Sequence, residues 1–143
     1  MLCVSLLYEY GGYWLDAICF LSSSIPPYIE TSGFFMFSST LLPEWASPIM
    51  GSSWFIYSCK RNPLLGKIRN FLFSYYLHKK YLINYYLFHI VLAVFVTTDE
   101  GCKDIWVSKP YICNMNPHIL QYSFSEPFSK ERYNFIKRTM FCT

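Results

Sequence analysis

The stretch LLYEYGGYWLDAICF, residues 6–20, changes its local pattern at a pair of glycines. Before the pair the sequence is typical of a helix, which we predict at Leu2–Tyr10, because glycine readily takes the left-handed conformation that ends helices. After the pair, aromatic and branched residues predict a buried strand at Tyr13–Phe20. A single acid, Asp16, stands within this apolar strand. The stretch therefore predicts a helix, a tight turn and a strand that carries one carboxylate.

Outward from this stretch, short strands give way to helices near residue 62. Further strands are predicted at Phe34–Phe37 and Trp54–Tyr57, between loops that contain proline. Asn62 and Pro63 are typical of an N-cap and a first helical residue, and an apolar face predicts that this helix ends near His78. Additional helices are predicted at Tyr81–Val96, near Lys103–Trp106 and from Ser129, the last with Tyr133, Ile136 and Met140 as its inner stripe.

This order of elements predicts an α/β or α+β fold, with short strands early and helices in the second half. The 143 residues are about the length of one domain. Apolar residues make up 53% of the chain and aromatic residues 21%, which is more than a small domain needs for its own core. We therefore expect either a membrane location or a missing portion that covers the excess apolar surface.

The charges are divided unevenly along the chain. Residues 1–59 contain four acids and no Lys or Arg, whereas residues 60–143 contain all twelve bases and five acids. The bases are spread out and form no dense stripe, so the sequence predicts no nucleic-acid partner. The six cysteines are too far apart in sequence for a zinc-ribbon or redox pair, and several lie in apolar runs. We predict free, structural thiols and a cytoplasmic protein, with peripheral association with a membrane left open.

One segment, Tyr81–Val96, has the composition of a membrane anchor. Lys79 and Lys80 precede it and Asp99 and Glu100 follow it, which is typical of a positive-inside span. The segment has only 16 residues, where a span needs about 20, and it contains Asn84 and His89. We favour a buried helix. A small single-span membrane protein without catalytic activity remains the alternative.

The carboxylate of Asp16 has two interpretations. A strand that leaves a Gly-Gly turn and holds an acid among aromatic residues suits a sugar or metal site, because a rigid element fixes the acid and the aromatic rings exclude water. Nucleotide-sugar transferases use such an acid with a divalent cation that neutralises the diphosphate leaving group. In the other interpretation, Asp16 only hydrogen-bonds at the end of a strand.

The segment LLYEYGGYWLDA closely resembles the LLYxYGGxWLDA motif of the capsular polysaccharide synthesis protein family. That family is similar to glycosyltransferases with a DxD sugar-binding motif, such as the yeast-type initiating mannosyltransferases. Later segments resemble the family in the same order, and they are SSWFIYSCKRNPLLGKIRNFLFSYYLHKKYLINYYLFHIVLAV, GCKDIWVSKPYICNMNPHILQ and FSEPFSKERYNFI. The resemblance thus covers nearly the whole chain.

This resemblance implies a partial GT-A-like fold and the transfer of a sugar from a nucleotide-sugar donor to a glycan acceptor. Asp16 corresponds to the first acid of the motif, beside the divalent cation (Mn²⁺ or Mg²⁺) and the sugar phosphate. His89 corresponds to an interior position that reaches the acceptor side. The residues that would shape the donor pocket are Tyr10, Gly11, Gly12, Tyr13 and Trp14. A buried histidine with only a structural role is the alternative for His89.

The chain also departs from the family pattern. Family members have a longer region ahead of the motif, which ends in a run like Ser-Asp-x-x-Arg; here Met1 falls inside that helix and Cys3 stands at the arginine position. The third position of the DxD motif is Ile18, which has no oxygen ligand. We therefore expect a truncated member, residues 1–143 being the acceptor-side half, with low activity as this short chain.

The remaining histidines and the tyrosine pairs are predicted to be structural. His118 lies in a loop, and His78 lies at a helix end, where its charge favours the helix dipole. Tyr75, Tyr76, Tyr85 and Tyr86 are expected to pack rather than to form a platform for sugar rings. No Ser-His-Asp elbow, dinucleotide-binding glycine pattern or P-loop occurs, so hydrolase and dinucleotide functions have no support in the sequence.

Overall fold

The structure, a computed structural model, describes residues 2–21, 23–39, 49–79, 81–118, 121 and 125–139. The strands in these ranges are β1 (Gly12–Leu15), β2 (Phe34–Ser38) and β3 (Gly51–Ser58). The helices there are α1 (Leu2–Tyr10), α2 (Pro27–Thr31), α3 (Pro63–His78), α4 (Leu87–Thr98), α5 (Glu100–Ser108) and α6 (Lys130–Thr139), with a short 3-10 helix at Asn116–His118. The predicted α/β class, with strands early and helices late, is confirmed.

The three strands form one antiparallel sheet in the order β1-β3-β2. On one side of the central strand, Gly12 pairs with Ser58 and Leu15 with Phe55. On the other side, Ser38 pairs with Gly51, after a shift in register between Met36 and Phe37. The last residues of β1 and β2 therefore lie at the same end of the sheet, beside the first half of β3. This end carries the candidate site.

The sheet has an apolar cluster on each face. The larger cluster joins the sheet to the helices and includes Phe34, Met36, Ile56 and Leu65. The smaller cluster, on the other face, contains Ile29, Phe35, Phe37 and Phe55. Successive side chains of a strand point to opposite faces, so an almost continuous apolar run such as FFMF in β2 serves both clusters.

Helix α3 begins and ends where the sequence predicts. The buried side chain of Asn62 accepts hydrogen bonds through Oδ1 from the backbone N–H groups of Leu64, at 3.0 Å, and Leu65, at 3.3 Å. Pro63 follows as the first helical residue, and the helix ends at His78, whose Nδ1 lies 2.8 Å from the carbonyl oxygen of Ser74. The N-cap matters because the first N–H groups of a helix have no partner within it.

We expect Asn62→Ala to lower the free energy of unfolding by about 1–2 kcal/mol, because two buried N–H groups lose their acceptor. Urea denaturation followed by circular dichroism measures this change. Asn70→Ala is the matched control, since Asn70 is exposed within the same helix. That control should leave stability unchanged or slightly higher, given the helix propensity of alanine. Equal losses in the two variants would contradict a capping role for Asn62.

The predicted strand at Tyr13–Phe20 is wrong in its second half. Strand β1 ends at Leu15, and the next residue, Asp16, donates its backbone N–H to the carbonyl oxygen of Trp54 at 2.9 Å. The carbonyl oxygen of Asp16 then accepts the N–H of Cys19, also at 2.9 Å, which closes a turn. Ile18 and Phe20 are consequently exposed rather than buried in a sheet.

The predicted helix at Tyr81–Val96 is wrong at its beginning, because α4 starts at Leu87. The hydroxyl group of Tyr75 donates to the carbonyl oxygen of Tyr81 at 2.8 Å and accepts the N–H of Ile83 at 3.2 Å. The side-chain oxygen of Asn84 accepts the N–H of Tyr86 at 2.7 Å. The backbone groups of Tyr81, Ile83 and Tyr86 thus bond to side chains rather than within a helix. Among the described residues, none of the helices is long and apolar enough to cross a membrane.

The other predicted elements are confirmed with small changes. Strands β2 and β3 contain the predicted strands, α5 contains the predicted helix near Lys103–Trp106, and Ser129 Oγ accepts the N–H of Arg132 at the start of α6. The inner stripe of α6 is wrong at Tyr133, which is half-exposed, and Met140 lies outside the described residues. The packing role is also wrong for Tyr85, which is 84% exposed. The prediction of free thiols is confirmed for the described cysteines, Cys3, Cys19, Cys59, Cys102 and Cys113.

Candidate functional site

Asp16 lies just past the end of β1, at the sheet end defined above. Its side chain is partly buried, and its Oδ1 accepts a hydrogen bond from the indole nitrogen of Trp14 at 2.9 Å. Trp14 packs against the larger apolar cluster, and its indole bond holds the Asp16 carboxylate beside it, on the helical side of the sheet. Burial raises the pKa of the Cys3 thiol on α1, and the negative charge of Asp16 acts in the same direction. The indole bond fixes one carboxylate oxygen and leaves the other for a ligand.

The glycine pair lies at the opposite end of β1 from Asp16. Gly11 and Gly12 both have positive φ angles, +72° and +93°, which non-glycine residues rarely adopt. A Cβ atom on Gly11 would lie 2.7 Å from the backbone nitrogen of Lys60, so this glycine allows α1 to approach the turn after β3. Tyr10, beside it, is 76% exposed. The structure therefore does not bring Tyr10 and Gly11 together with Asp16.

Tyr13 lies on the face of the sheet opposite to Trp14. Its ring contacts Tyr57, with 4.9 Å between the centroids, and it packs against the smaller apolar cluster. Its hydroxyl group donates to Oε1 of Glu30 at 2.8 Å. Burial raises the pKa of this hydroxyl, and the bond to Glu30 raises it further. Of the residues predicted to shape a donor pocket, only Trp14 contacts Asp16 directly.

His89 lies on α4, whose main contacts are with α3 and α5. Its ring is partly buried beside Phe88 and Tyr86, and its Nδ1 atom is buried without a hydrogen-bond partner among the described residues. Burial lowers the pKa of the imidazole, so the ring is neutral at pH 7. A neutral ring nitrogen without a partner can accept a proton.

The structure also identifies a residue that the sequence analysis missed, Lys109, just after α5. Only 7% of this residue is exposed, and its Nζ donates to Oγ of Ser38 at 2.6 Å. The same Nζ lies 4.5 Å from the centroid of the Trp106 ring. At the same end of β2, Asn114 Nδ2 donates to Ser52 Oγ at 3.1 Å, and the Asn114 N–H donates to the Ser38 carbonyl oxygen.

Lys109 has no carboxylate partner in the part of the chain that the structure describes. Its neighbours there are a hydroxyl group and an aromatic ring, which are weak substitutes for water around an ammonium ion. Burial accordingly lowers the pKa of Lys109 to about 8. A buried cation without a counter-ion favours an anionic ligand, because such a ligand would restore the lost electrostatic stabilisation.

Asp16 and Lys109 lie at the same end of the sheet and on the same face. Asp16 follows β1 beside Trp54, whereas Lys109 is bonded to Ser38 at the end of β2. Strand spacing and rise put the backbone of Asp16 and the backbone of Ser38 roughly 10 to 15 Å apart. This distance is too long for an ion pair between Asp16 and the ammonium group that is bonded to Ser38. The arrangement places one carboxylate and one buried ammonium group on the helical side of the sheet.

A family model for capsular polysaccharide synthesis proteins matches residues 1–142. The chain belongs to this family. The search of curated proteins found no match, and the search of solved structures also found none. The family predicted from the LLYEYGGYWLDA motif is therefore confirmed, whereas the GT-A-like fold and the DxD role of Asp16 stay predictions.

The described donor atoms of this family member do not form a metal site by themselves. Within the described ranges, no group of three or more His, Cys, Asp or Glu side chains is placed to hold a metal ion. Asp16 offers one oxygen besides the one bonded to Trp14. A Mn²⁺ or Mg²⁺ ion prefers about six oxygen ligands, so most of them would have to come from the phosphate groups of a bound nucleotide and from water.

Only one weak feature of the sequence could have indicated that Lys109 is buried. Trp106 and Lys109 are three residues apart at the end of a helix, directly before Pro110, which is compatible with an aromatic ring beneath an ammonium group. Many exposed lysines have similar neighbours. The burial that distinguishes Lys109 comes from β2, whose Ser38 is 71 positions earlier in the chain.

Proposed function

We propose that this member of the capsular polysaccharide synthesis family is a glycosyltransferase that transfers a sugar from a nucleotide-sugar donor to a glycan acceptor. The observation that carries the proposal is the placement of the Asp16 carboxylate and the buried Lys109 ammonium on one face, at one end of the sheet. A nucleotide sugar needs both kinds of group, because its sugar hydroxyls are hydrogen-bond donors and its diphosphate is an anion.

In this proposal each charged group has a separate task. Asp16, oriented by the Trp14 indole, accepts a hydrogen bond from a sugar hydroxyl and fixes the sugar ring. Lys109 donates a charge-assisted hydrogen bond to a diphosphate oxygen. During transfer, the oxygen of an acceptor hydroxyl bonds to the anomeric carbon, and the bond from that carbon to the diphosphate breaks. The electron pair of the broken bond goes to the diphosphate, where the positive charge of Lys109 stabilises it.

The proton of the acceptor hydroxyl needs a base, and His89 is our candidate. Burial lowers the pKa of its imidazole and keeps the ring neutral at pH 7, the protonation state that a general base needs. A divalent cation would enter with the donor phosphates and add positive charge beside them when bound. The described residues do not form a complete cation site by themselves.

The test is donor binding measured by isothermal titration calorimetry with UDP-sugars and GDP-sugars, with and without Mn²⁺. We expect Lys109→Met to weaken the binding of the preferred donor about 10- to 100-fold, the value of one hydrogen bond to a charged group. Lys103→Met is the matched control, because Lys103 is exposed on α5. It should leave the affinity unchanged.

The pH dependence provides a second measurement on the same binding site. With a pKa of about 8, Lys109 is charged below pH 8 and loses its proton above it. The affinity for the donor should therefore fall as the pH rises from 7 to 9, and Lys109→Met should remove most of that fall. A wild-type protein that binds none of these sugars at pH 7, or a Lys109→Met variant with unchanged affinity, would contradict the proposal.

A further inference from the structure

An exposed apolar surface covers the end of α3 and the segment before α4. We name it the 77–86 patch, and its large exposed side chains are Leu77, Tyr81, Leu82, Ile83, Tyr85 and Tyr86. Leu77 is 81% exposed and Tyr85 is 84% exposed, values typical of side chains with almost no packing partners. A contiguous apolar surface of this kind usually marks an interaction site.

The backbone of the 77–86 patch is held in place by hydrogen bonds. Tyr75, on α3, bonds through its hydroxyl group to the backbone of both Tyr81 and Ile83. Asn84 accepts the N–H of Tyr86 and so orders the last turn before α4. The exposed side chains of Tyr81, Ile83 and Tyr86 therefore belong to residues whose backbone groups are hydrogen-bonded.

The charged residues in this part of the sequence have one sign. Residues 70–98 contain two lysines, Lys79 and Lys80, and no acid. Lys79, inside the patch, is exposed and makes no ion pair with any described residue. The sequence places Lys80 directly after it.

We propose that the 77–86 patch docks this protein on the surface of a membrane that contains anionic lipids. Tyrosine rings suit the boundary between headgroups and acyl chains, because they are apolar with one polar end. Leu77, Leu82 and Ile83 would enter the acyl boundary, and Lys79 would meet the anionic headgroups. The proposed contact involves one leaflet, because only side chains of the patch enter the acyl boundary. The proposal does not depend on the transferase activity.

The test is co-sedimentation of the full chain with vesicles of phosphatidylcholine alone or with about 30% phosphatidylglycerol, whose anionic headgroups attract a nearby lysine by about 1 kcal/mol. We expect clear binding to the anionic vesicles and weak binding to the neutral ones. The triple variant Tyr81→Ser, Leu82→Ser and Tyr85→Ser should weaken binding about 30-fold or more through the loss of apolar insertion. Lys79→Ala should weaken it about fivefold, and high salt should weaken the wild type similarly.

The chain offers closely matched controls for both variants. Phe20, Tyr28 and Phe128 are 63%, 49% and 83% exposed, against 63%, 51% and 84% for Tyr81, Leu82 and Tyr85. Their triple replacement by serine should leave vesicle binding unchanged, as should Lys103→Ala. Equal binding to both vesicle types, no binding, or unchanged binding of the patch variant would overturn the proposal. So would a wild-type dimer in sedimentation velocity that the patch variant dissociates, because a second copy would then cover the patch.

Discussion

Replacing Asp16 with asparagine should lower the rate of sugar transfer by about a hundredfold or more, while the protein stays folded. The asparagine Oδ1 can still accept the hydrogen bond from the Trp14 indole, so the turn after β1 keeps its geometry. Only the negative charge and one acceptor oxygen are lost. In our proposal that oxygen fixes the donor sugar, and a misplaced sugar reacts far more slowly.

The measurement is the release of nucleoside diphosphate from the preferred donor in the presence of a glycan acceptor. Asp104→Asn is the matched control, since Asp104 is exposed on α5 and the same charge is removed there. Thermal unfolding of each variant distinguishes a folded protein that has lost activity from a protein that has lost activity by unfolding. If Asp16→Asn retained the wild-type rate but unfolded at a lower temperature, Asp16 would have only the structural role that we considered as its alternative.

The second large effect concerns stability. Gly11→Ala should lower the free energy of unfolding by about 3 kcal/mol, from about 1 kcal/mol of backbone strain and a larger contribution from steric overlap. The φ angle of Gly11 is +72°, and a Cβ atom there would lie 2.7 Å from the Lys60 nitrogen and 3.2 Å from the Ser58 carbonyl oxygen. Both atoms belong to the backbone, so neither can rotate away.

Gly33→Ala is the control that has the backbone strain without the steric overlap, so the difference between the two variants gives the steric contribution. Gly33 has the same φ angle of +72°, but a Cβ atom there would meet only the Cys59 sulfur at 3.8 Å, an ordinary contact. We expect a loss of about 1 kcal/mol for this control, from backbone strain alone. Urea denaturation of both variants measures the difference. Equal losses would show that α1 does not depend on the close approach at Gly11.

The motif around Asp16 identified the family and one charged group, because a carboxylate in an apolar strand is conspicuous in a sequence. It did not show that Gly11 and Tyr10 lie at the other end of β1, or that Tyr13 faces away from Trp14. Those facts depend on the end of the strand at Leu15 and on the alternation of its side chains.

Helices with local signals were predicted well, and those that depend on distant contacts were not. Asn62 and Pro63 determine the start of α3, because a cap acts on residues two and three positions away. The start of α4 depends on Tyr75, which takes up the backbone groups of Tyr81 and Ile83 from another helix. An apolar run alone cannot distinguish a helix start that depends on a local cap from one that depends on contacts with another helix.

By itself, then, the sequence determined the family, the α/β class, the capped helix α3 and the candidate carboxylate, because each depends on residues close together in the chain. Only the tertiary structure decided that Lys109 is a buried cation and that it shares one end of the sheet with Asp16. The physical reason is desolvation. Whether an ammonium group keeps its water depends on which strands and helices surround it, and Ser38 reaches Lys109 only when β2 and the end of α5 come together.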